Sequence, residues 1–200
     1  MDIGNFEKFL IEQHATAIHE AGHAVAGELL GFPCRYIRGL SYRPIKKEWS
    51  SGLWTHDRRT TRLLRIWPNS EKSFKQHADY GVAVAAGVAA EAIDAGIVIN
   101  DDLRAVAGSG DYKGLATLAC RISVSQVDLK TLKPIRSEES LIAEWEGRAT
   151  ALLKENWAWV ESVACLLDFE ERVSGDDMRS CRPRKLRRNV RRAAQYAIAA

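Results

Sequence analysis

One pentapeptide, His19-Glu20-Ala21-Gly22-His23, constrains this 200-residue chain more than any other stretch. Residues four positions apart lie on one face of a helix, so His19 and His23 would present their imidazole rings about one turn from each other. This spacing is typical of a helix that holds zinc through two histidines. Glu20 lies one step around the helix, where it can reach a water molecule on the metal and serve as general base. The alternative interpretation is two ordinary helix histidines beside a surface glutamate.

The residues around this motif favour a packed helix. Apolar side chains recur at helical spacing beside the histidines and would hold this face against a core. This stripe consists of Ile18, Ala21, Val25 and Leu29. Gly31 and Pro33 are typical of the end of a helix, so we expect the first helix to cover most of residues 5–30.

Residues 34–56 predict a small β element. Residues 34–40 are apolar and tolerate a strand, residues 42–44 are typical of a turn, and residues 51–56 predict a second strand. An open strand edge near a metal can bind an extended peptide through backbone hydrogen bonds. The candidate substrate-binding residues on this edge are Gly52, Leu53, Trp54 and Thr55. A purely structural hairpin is the alternative interpretation.

The rest of the chain shows helical periodicity, so we predict a mainly α fold with a small β hairpin or sheet near residues 34–56. A loop is expected at residues 98–104. The expected helices cover residues 57–66, residues 74–95, a stretch beginning at Asp111, and residues 137–172 as one long helix or two in tandem. We expect residues 1–178 to form one domain and residues 179–200 to form a basic, helical tail.

Two acidic residues in these helices are candidates for a site. Glu91 lies inside the apolar helix predicted at residues 74–95, and a buried carboxylate needs a partner or a metal. Asp111 lies at the start of a predicted helix, where an acid is stabilised by the helix dipole. Asp111 is therefore either a plain N-terminal helix residue, which the local pattern favours, or a third metal ligand.

Charge is distributed unevenly along the chain. Residues 179–200 contain eight arginine and lysine residues and no acid, and the net charge of the whole chain is +3. Residues 1–178 therefore carry a net charge of −5. The basic tail could dock on the acidic body or on a partner, or could neutralise nucleic-acid phosphates. We disfavour nucleic-acid binding because no recognised nucleic-acid fold accompanies the tail.

The cysteines and the hydropathy pattern indicate a soluble protein of a reducing compartment. Four cysteines are widely spread without a Cys-x-x-Cys pair, so we expect free thiols. The N-terminus has neither a basic start nor an apolar run, and the longest apolar stretch, residues 81–99, contains Glu91 and Asp94. A membrane span would bury both acids at considerable cost. We therefore expect a cytoplasmic protein without a membrane segment.

Several separated segments, taken in order, resemble the peptidase domain of FtsH-type AAA proteases. The matching segments are His19-Glu20-Ala21-Gly22-His23-Ala24, Ala89-Ala90-Glu91-Ala92-Ile93, Gly108-Ser109-Gly110-Asp111, and Leu166-Leu167 followed by Val173-Ser174-Gly175-Asp176-Asp177. Residues 51–55 are similar to the edge strand of that family. The similarity spans roughly residues 14–180, and the histidine pentapeptide is its most specific part.

The resemblance implies a predominantly helical peptidase domain with a catalytic zinc ion. The implied zinc ligands are His19, His23 and Asp111. Asp111 is then a ligand rather than only a cap, and Glu20 is the implied base. Glu91 becomes the residue that orients a ligand histidine through a hydrogen bond. Asp102 and Glu91 are the rival candidates for the third ligand.

The chain also departs from this family. The usual paired glycines are reduced to Ala86-Gly87, and the stretch from residue 91 to residue 111 is longer than typical. No Gly-x-x-x-x-Gly-Lys-Ser/Thr motif occurs, so we expect a stand-alone peptidase domain without the ATPase module.

We therefore predict a zinc metalloendopeptidase that cleaves peptides, unfolded protein segments, or clients delivered by a separate ATPase partner. Because FtsH-type peptidase domains form hexameric rings, the resemblance also suggests that this chain can form a homo-oligomer. The alternative is a catalytically idle protein that keeps the fold for binding or regulation. Such a protein would contact an acidic partner or nucleic acid through its basic tail.

Overall fold

The computed structural model describes residues 3–43, 48–50, 52–128 and 133–183. Within these ranges the chain forms eight helices and seven short strands, which confirms the predicted mainly α fold with a small sheet. The helices are α1 (Ile3–Leu29), α2 (Arg58–Arg65), α3 (Glu71–Asp94), α4 (Asp101–Ala107), α5 (Ser109–Ser125), α6 (Glu138–Glu155), α7 (Trp157–Phe169) and α8 (Gly175–Ser180). The strands are β1 (Cys34–Arg38), β2 (Ser41–Arg43), β3 (Glu48–Ser50), β4 (Leu53–His56), β5 (Val127–Asp128), β6 (Lys133–Pro134) and β7 (Arg172–Ser174).

The core lies between four long helices. α1 packs against α3 and α7, and α3 also packs against α6. Trp145 of α6 and Trp159 of α7 are fully buried. The indole N–H of Trp159 donates a hydrogen bond of 2.9 Å to the backbone oxygen of Met178, which attaches α8 to this core.

α1 and α3 approach each other very closely. A Cβ atom at Gly22 would lie 2.5 Å from the backbone oxygen of Ala86, so a larger residue at position 22 would push the two helices apart. Ala21 and Val25, which belong to the predicted apolar stripe, are fully buried. The close approach therefore brings the histidine-bearing part of α1 directly against α3.

A three-stranded antiparallel sheet lies beside α1. Its central strand is β1, with β4 on one side and β7 on the other. Ile37 of β1 pairs with Trp54 of β4 and with Val173 of β7. β4 is therefore an edge strand, and no other strand of the described ranges pairs with its outer edge. The sequence pattern does not predict β7, because a strand of three residues is too short to show alternation.

Two local predictions are wrong. The predicted turn at residues 42–44 is wrong because Ser41–Arg43 is a strand that pairs with β3; the last residue of that turn lies outside the described residues. The predicted loop at residues 98–104 is also wrong, because most of it belongs to α4. The side chain of Asn100 caps this helix by accepting a hydrogen bond of 2.8 Å from the backbone N–H of Leu103.

Four further predictions concern residues 137–172, the cysteines, membrane-spanning helices and the basic tail. The region at residues 137–172 forms two helices in tandem, α6 and α7, which meet at Asn156. All four cysteines are free, as predicted. In the part of the chain that the structure describes, no helix has both the length and the apolarity needed to cross a bilayer. The helical tail stays a prediction, because residues 184–200 lie outside the described residues.

Candidate metal centre

Side chains from two helices converge at one point of the structure. His19 and His23 lie on α1, and Asp111 lies in the first turn of α5. The Nε2 atoms of the two histidines are 3.0 Å apart. Oδ2 of Asp111 lies 2.9 Å from Nε2 of His19 and 3.2 Å from Nε2 of His23. All three atoms lie within 4.8 Å of one another, so this group could hold a metal ion.

Hydrogen bonds on the far side of each ring determine which nitrogen faces the centre. Nδ1 of His23 lies 2.9 Å from the backbone oxygen of Ala83 on α3. Because a carbonyl oxygen only accepts, Nδ1 of His23 donates its proton outward and Nε2 carries a lone pair. Nδ1 of His19 lies 2.5 Å from Oε1 of Glu91, also on α3, and a carboxylate in this position fixes the ring in the same way.

The chemistry of these atoms fits a divalent metal. When both Nδ1 atoms donate outward, the centre contains two nitrogen lone pairs and one carboxylate oxygen, all of which are acceptors. Three acceptors at separations of 2.9 to 3.2 Å repel one another unless a proton or a metal cation lies between them. Two imidazole nitrogens and one carboxylate oxygen are also a common ligand set of catalytic zinc.

A proton competes with a metal at this centre. Burial lowers the pKa of His19, but hydrogen bonds with Asp111 and Glu91 outweigh burial and raise this pKa to about 10. Burial raises the pKa of Asp111, but hydrogen bonds with both histidines outweigh it and hold that pKa well below its ordinary value. Without a metal, His19 and Asp111 therefore form an ion pair, and a metal has to displace the proton between them.

Glu20 lies beside the centre with an unsatisfied oxygen. Its Oε2 atom is buried and has no hydrogen-bond partner among the residues that the structure describes. Burial raises the pKa of Glu20, while electrostatic interactions with the neighbouring His23 and His19 rings lower it. A buried carboxylate oxygen without a partner costs free energy unless a ligand binds to it. The atom is therefore suited to contact a water molecule or a polar group of a substrate.

The chain that enters β4 covers Glu20. A Cβ atom at Gly52 would lie 2.5 Å from Oε1 of Glu20, so the backbone at residue 52 rests on this side chain. Trp54 stacks on the ring of His23, with ring centroids 5.8 Å apart. The other candidate substrate-binding residues of this strand are Leu53 and Thr55. Gly52 thus contacts Glu20 directly, and the other three candidates follow it on β4, whose outer edge pairs with no other strand of the described ranges.

Two clefts flank the contact between Gly52 and Glu20, and both residues line each of them. The first cleft, of about 280 Å³, is also lined by His23, Trp54, Tyr80, Val84, Asp111 and Gly114. The second, of about 360 Å³, is also lined by Thr16, His19, Leu40 and Glu91. A larger cavity, of about 580 Å³, lies between the end of α3 and α6 and contains none of the predicted site residues. An extended chain along β4 would thus have space on both sides of Glu20.

Sequence reasoning missed two positions on α3 that shape the centre. A Cβ atom at Gly87 would lie 2.5 Å from Nε2 of each histidine, so only glycine leaves this space free. The small pair Ala86-Gly87 inside an apolar helix is a sequence signal for such a close approach. The backbone oxygen of Ala83 has no comparable signal, because every residue type supplies a carbonyl.

The two rival third ligands do not reach the centre. Asp102 is exposed in the first turn of α4 and is not part of the converging group. Glu91 contacts the nitrogen of His19 that faces away from the centre.

No protein-family model matches this chain, and no curated protein matches it significantly. The resemblance to FtsH-type peptidase domains therefore stays a hypothesis that rests on the sequence motifs.

Proposed function

We propose that this protein is a zinc-dependent endopeptidase that hydrolyses peptide bonds in peptides or unfolded protein segments. One observation carries the proposal: within the described part of the chain, Oε2 of Glu20 is buried without a hydrogen-bond partner, beside the group formed by His19, His23 and Asp111. Metal-assisted hydrolysis needs a carboxylate in this position, next to the metal ligands and free to accept a proton.

The donor atoms favour zinc over other divalent metals. His19, His23 and Asp111 would hold the ion through two nitrogens and one oxygen, which leaves one coordination position open. Magnesium and calcium prefer an all-oxygen set, whereas imidazole suits zinc. When bound, zinc lowers the pKa of a coordinated water molecule and polarises a substrate carbonyl.

The side chains around the centre supply the proton transfers and the orientation. Glu20 takes a proton from the attacking water and delivers it to the leaving amine nitrogen. Burial raises the pKa of Glu20, which brings this carboxylate closer to the basicity that proton transfer near neutral pH requires. Glu91 and the backbone oxygen of Ala83 hold the two imidazole rings in place during these steps.

The surroundings of Glu20 favour an extended substrate cleaved within its chain. The outer edge of β4 offers backbone hydrogen-bonding groups to an added strand. Because clefts of about 280 and 360 Å³ lie on either side of Glu20, a bound chain can continue in both directions. Such a site suits an endopeptidase better than an enzyme that removes terminal residues.

Metal analysis and a cleavage assay test this proposal together. We expect the purified wild-type protein to contain about one zinc ion per chain and the His23→Ala variant to lose it. Glu20→Gln should retain zinc but should no longer cleave a panel of quenched-fluorescent unstructured peptides. A wild-type protein that binds no zinc when the metal is plentiful would contradict the proposal. Zinc binding without cleavage of any peptide would instead favour the idle binding or regulatory protein.

A further inference from the structure

The helix α2 carries a concentrated positive charge, although the net charge of residues 1–178 is negative. Its eight residues include Arg58, Arg59, Arg62 and Arg65, and all four side chains are exposed. Arg58, Arg62 and Arg65 follow one another at spacings of four and three, so they share one face of the helix. Residues 1–178 have a net charge of −5, so these four arginines form a local positive surface on a body whose net charge is negative.

In the described ranges, the arginines on this face have no acidic partner. Among the residues that the structure describes, no carboxylate forms an ion pair with Arg58, Arg62 or Arg65. Asp57 precedes the helix, but its Oδ1 atom already accepts hydrogen bonds of 2.9 and 2.8 Å from the backbone N–H and the hydroxyl of Thr60. The positive charge is therefore available to a ligand.

Two hydrogen bonds connect the C-terminal end of α2 to α5 and α3. Arg121 of α5 donates a hydrogen bond of 2.8 Å to the backbone oxygen of Leu64. Nε2 of His77 on α3 lies 3.0 Å from the backbone oxygen of Ile66, the residue that directly follows α2. His77 is one helical turn before Tyr80, and Tyr80 lines the cleft of about 280 Å³ beside Glu20. α2 therefore lies beyond the end of this cleft.

The separation between α2 and the metal centre can be estimated from helix geometry. Arg121 follows Asp111 by ten residues on α5, which corresponds to about 15 Å along the helix axis. An extended peptide covers this distance with about five residues. β4 leads in the same direction, because a single residue, Asp57, separates its last residue from α2. A peptide bound along β4 would thus reach the arginines about five residues from Glu20.

We propose that α2 selects substrates with acidic residues about five positions away from the peptide bond that is cleaved. This inference rests on the proposed endopeptidase function and names the substrate class of the same site. Carboxylates of the substrate pair with Arg58, Arg62 and Arg65, while the backbone of the substrate pairs with β4. The basic surface thus adds affinity outside the cleft and leaves the chemistry at Glu20 unchanged.

An acidic peptide fits this surface better than a nucleic acid. The arginines occupy about two helical turns, and they continue a strand edge that pairs with peptide backbone. The rest of the body has negative charge, which repels a long phosphate chain. A short acidic segment of an unfolded protein contacts only the basic helix, so it avoids this repulsion by the rest of the body.

Binding of labelled peptides to the Glu20→Gln variant tests this surface independently of cleavage. The peptides have equal length and an apolar centre, and they carry either three glutamates or three glutamines about five residues to one side of it. One set carries the glutamates before the centre and one set after it. Fluorescence anisotropy at low salt measures the affinity of each peptide for the full chain.

We expect the glutamate peptide in one of the two sets to bind more tightly than its glutamine counterpart. Adding Arg62→Gln and Arg65→Gln should weaken that peptide about threefold to tenfold, because each exposed ion pair contributes little. Adding Arg35→Gln and Lys154→Gln, which remove the same charge from exposed positions elsewhere, should weaken it less than about twofold. Glutamine keeps nearly the helix propensity of arginine, so α2 should remain folded.

Three results would overturn the inference. The first is equal binding of glutamate and glutamine peptides, and the second is an equal loss in the control variant. The third is tighter binding of a single-stranded oligonucleotide than of the glutamate peptide, with that binding abolished by Arg62→Gln and Arg65→Gln. If the glutamate preference depends on Arg62 and Arg65 but the wild type cleaves no peptide, the binding surface stands and the endopeptidase function fails.

Discussion

The hydroxyl of Tyr112 donates a hydrogen bond to the buried carboxylate of Glu146. Tyr112 directly follows the proposed metal ligand Asp111, whereas Glu146 lies on α6. The same carboxylate accepts hydrogen bonds of 2.9 and 2.7 Å from the guanidinium group of Arg104 on α4. One side chain on α6 thereby fixes both helices that meet just before Asp111.

Replacing this carboxylate should weaken metal binding from a distance. In Glu146→Gln, one oxygen that accepts from Arg104 becomes an amide nitrogen, so the start of α5 is held less firmly. We expect zinc affinity to fall by about tenfold, the lower end of the range for residues that orient metal ligands indirectly. Competition with a chelator measures the affinity, and the visible spectrum of the cobalt-substituted protein reports the ligand geometry.

The matched control for this change lies on the same helix. Glu144 forms an ion pair with Arg136 and is only half-buried, so Glu144→Gln removes an equal charge without touching α4 or α5. It should leave zinc affinity within about twofold of the wild type. Wild-type affinity and an unchanged cobalt spectrum in Glu146→Gln would show that Glu146 does not position Asp111.

Removing the partner of the outward-facing nitrogen of His19 should also reduce zinc affinity. In Glu91→Ala, Nδ1 of His19 loses its acceptor at 2.5 Å, and the ring can rotate or change tautomer. We expect affinity to fall by about ten- to a hundredfold, as is typical for such partners. Isothermal titration with zinc measures the change. Asp94→Ala, at the exposed end of the same helix, should bind zinc normally; equal losses in both variants would argue against a role of Glu91 in orientation.

Adding a single methyl group next to the centre should abolish metal binding. In Gly87→Ala, the new Cβ atom would lie 2.5 Å from Nε2 of both histidines, where the ligand atoms have to point. The rings would have to move, so we expect zinc to be absent from the purified variant. Gly147→Ala places a methyl group on α6 where nothing lies within 4 Å, and it should keep its zinc. Full zinc occupancy in Gly87→Ala would show that the rings bind no metal in this arrangement.

The stability of the metal-free protein should depend on pH through His19. Its pKa rises from 6.5 to about 10 on folding, despite the opposing effect of burial, because Asp111 and Glu91 stabilise the protonated ring. The stabilisation is therefore complete below pH 6.5 and is lost as pH rises towards about 10. Asp111 acts in the opposite direction: its pKa is lowered, so its contribution is present above its ordinary value of 3.8 and is lost under acid conditions.

Urea unfolding in the presence of a chelator checks this dependence. We expect the free energy of unfolding of the wild type to decrease between pH 6.5 and about 10. In Asp111→Asn the ring loses its negative partner, so the decrease over this range should be clearly smaller. Parallel pH profiles for the two proteins would mean that the pair of His19 and Asp111 is not formed in the metal-free state.

The histidine pair is the part of the site that local sequence predicts best. His19 and His23 are four residues apart on one helix, so helical geometry alone places them together. Asp111 is different, because 88 residues separate it from His23 and the local pattern favours a plain helix cap. Only the packing of α5 against α3 brings this carboxylate to the rings, and local periodicity contains no information about such packing.

The missed elements of the fold have similar physical reasons. α4 has seven residues and begins with two aspartates, so its composition resembles that of a loop unless Asn100 is identified as its cap. The hydrogen bonds that β7 makes to β1 depend on chain segments more than 130 residues apart. The long helices were predictable because their apolar faces repeat over several turns.

The contact between Gly22 and Ala86 has a consequence for how the protein would bind the proposed metal. Because the two backbones touch there, the rings of α1 and their acceptors on α3 are parts of one preassembled unit. Loading the ion then requires little reorganisation of the chain. A zinc finger unfolds when its ion is removed. This protein should instead remain folded when a chelator removes the ion, and it should bind zinc again when zinc is added back.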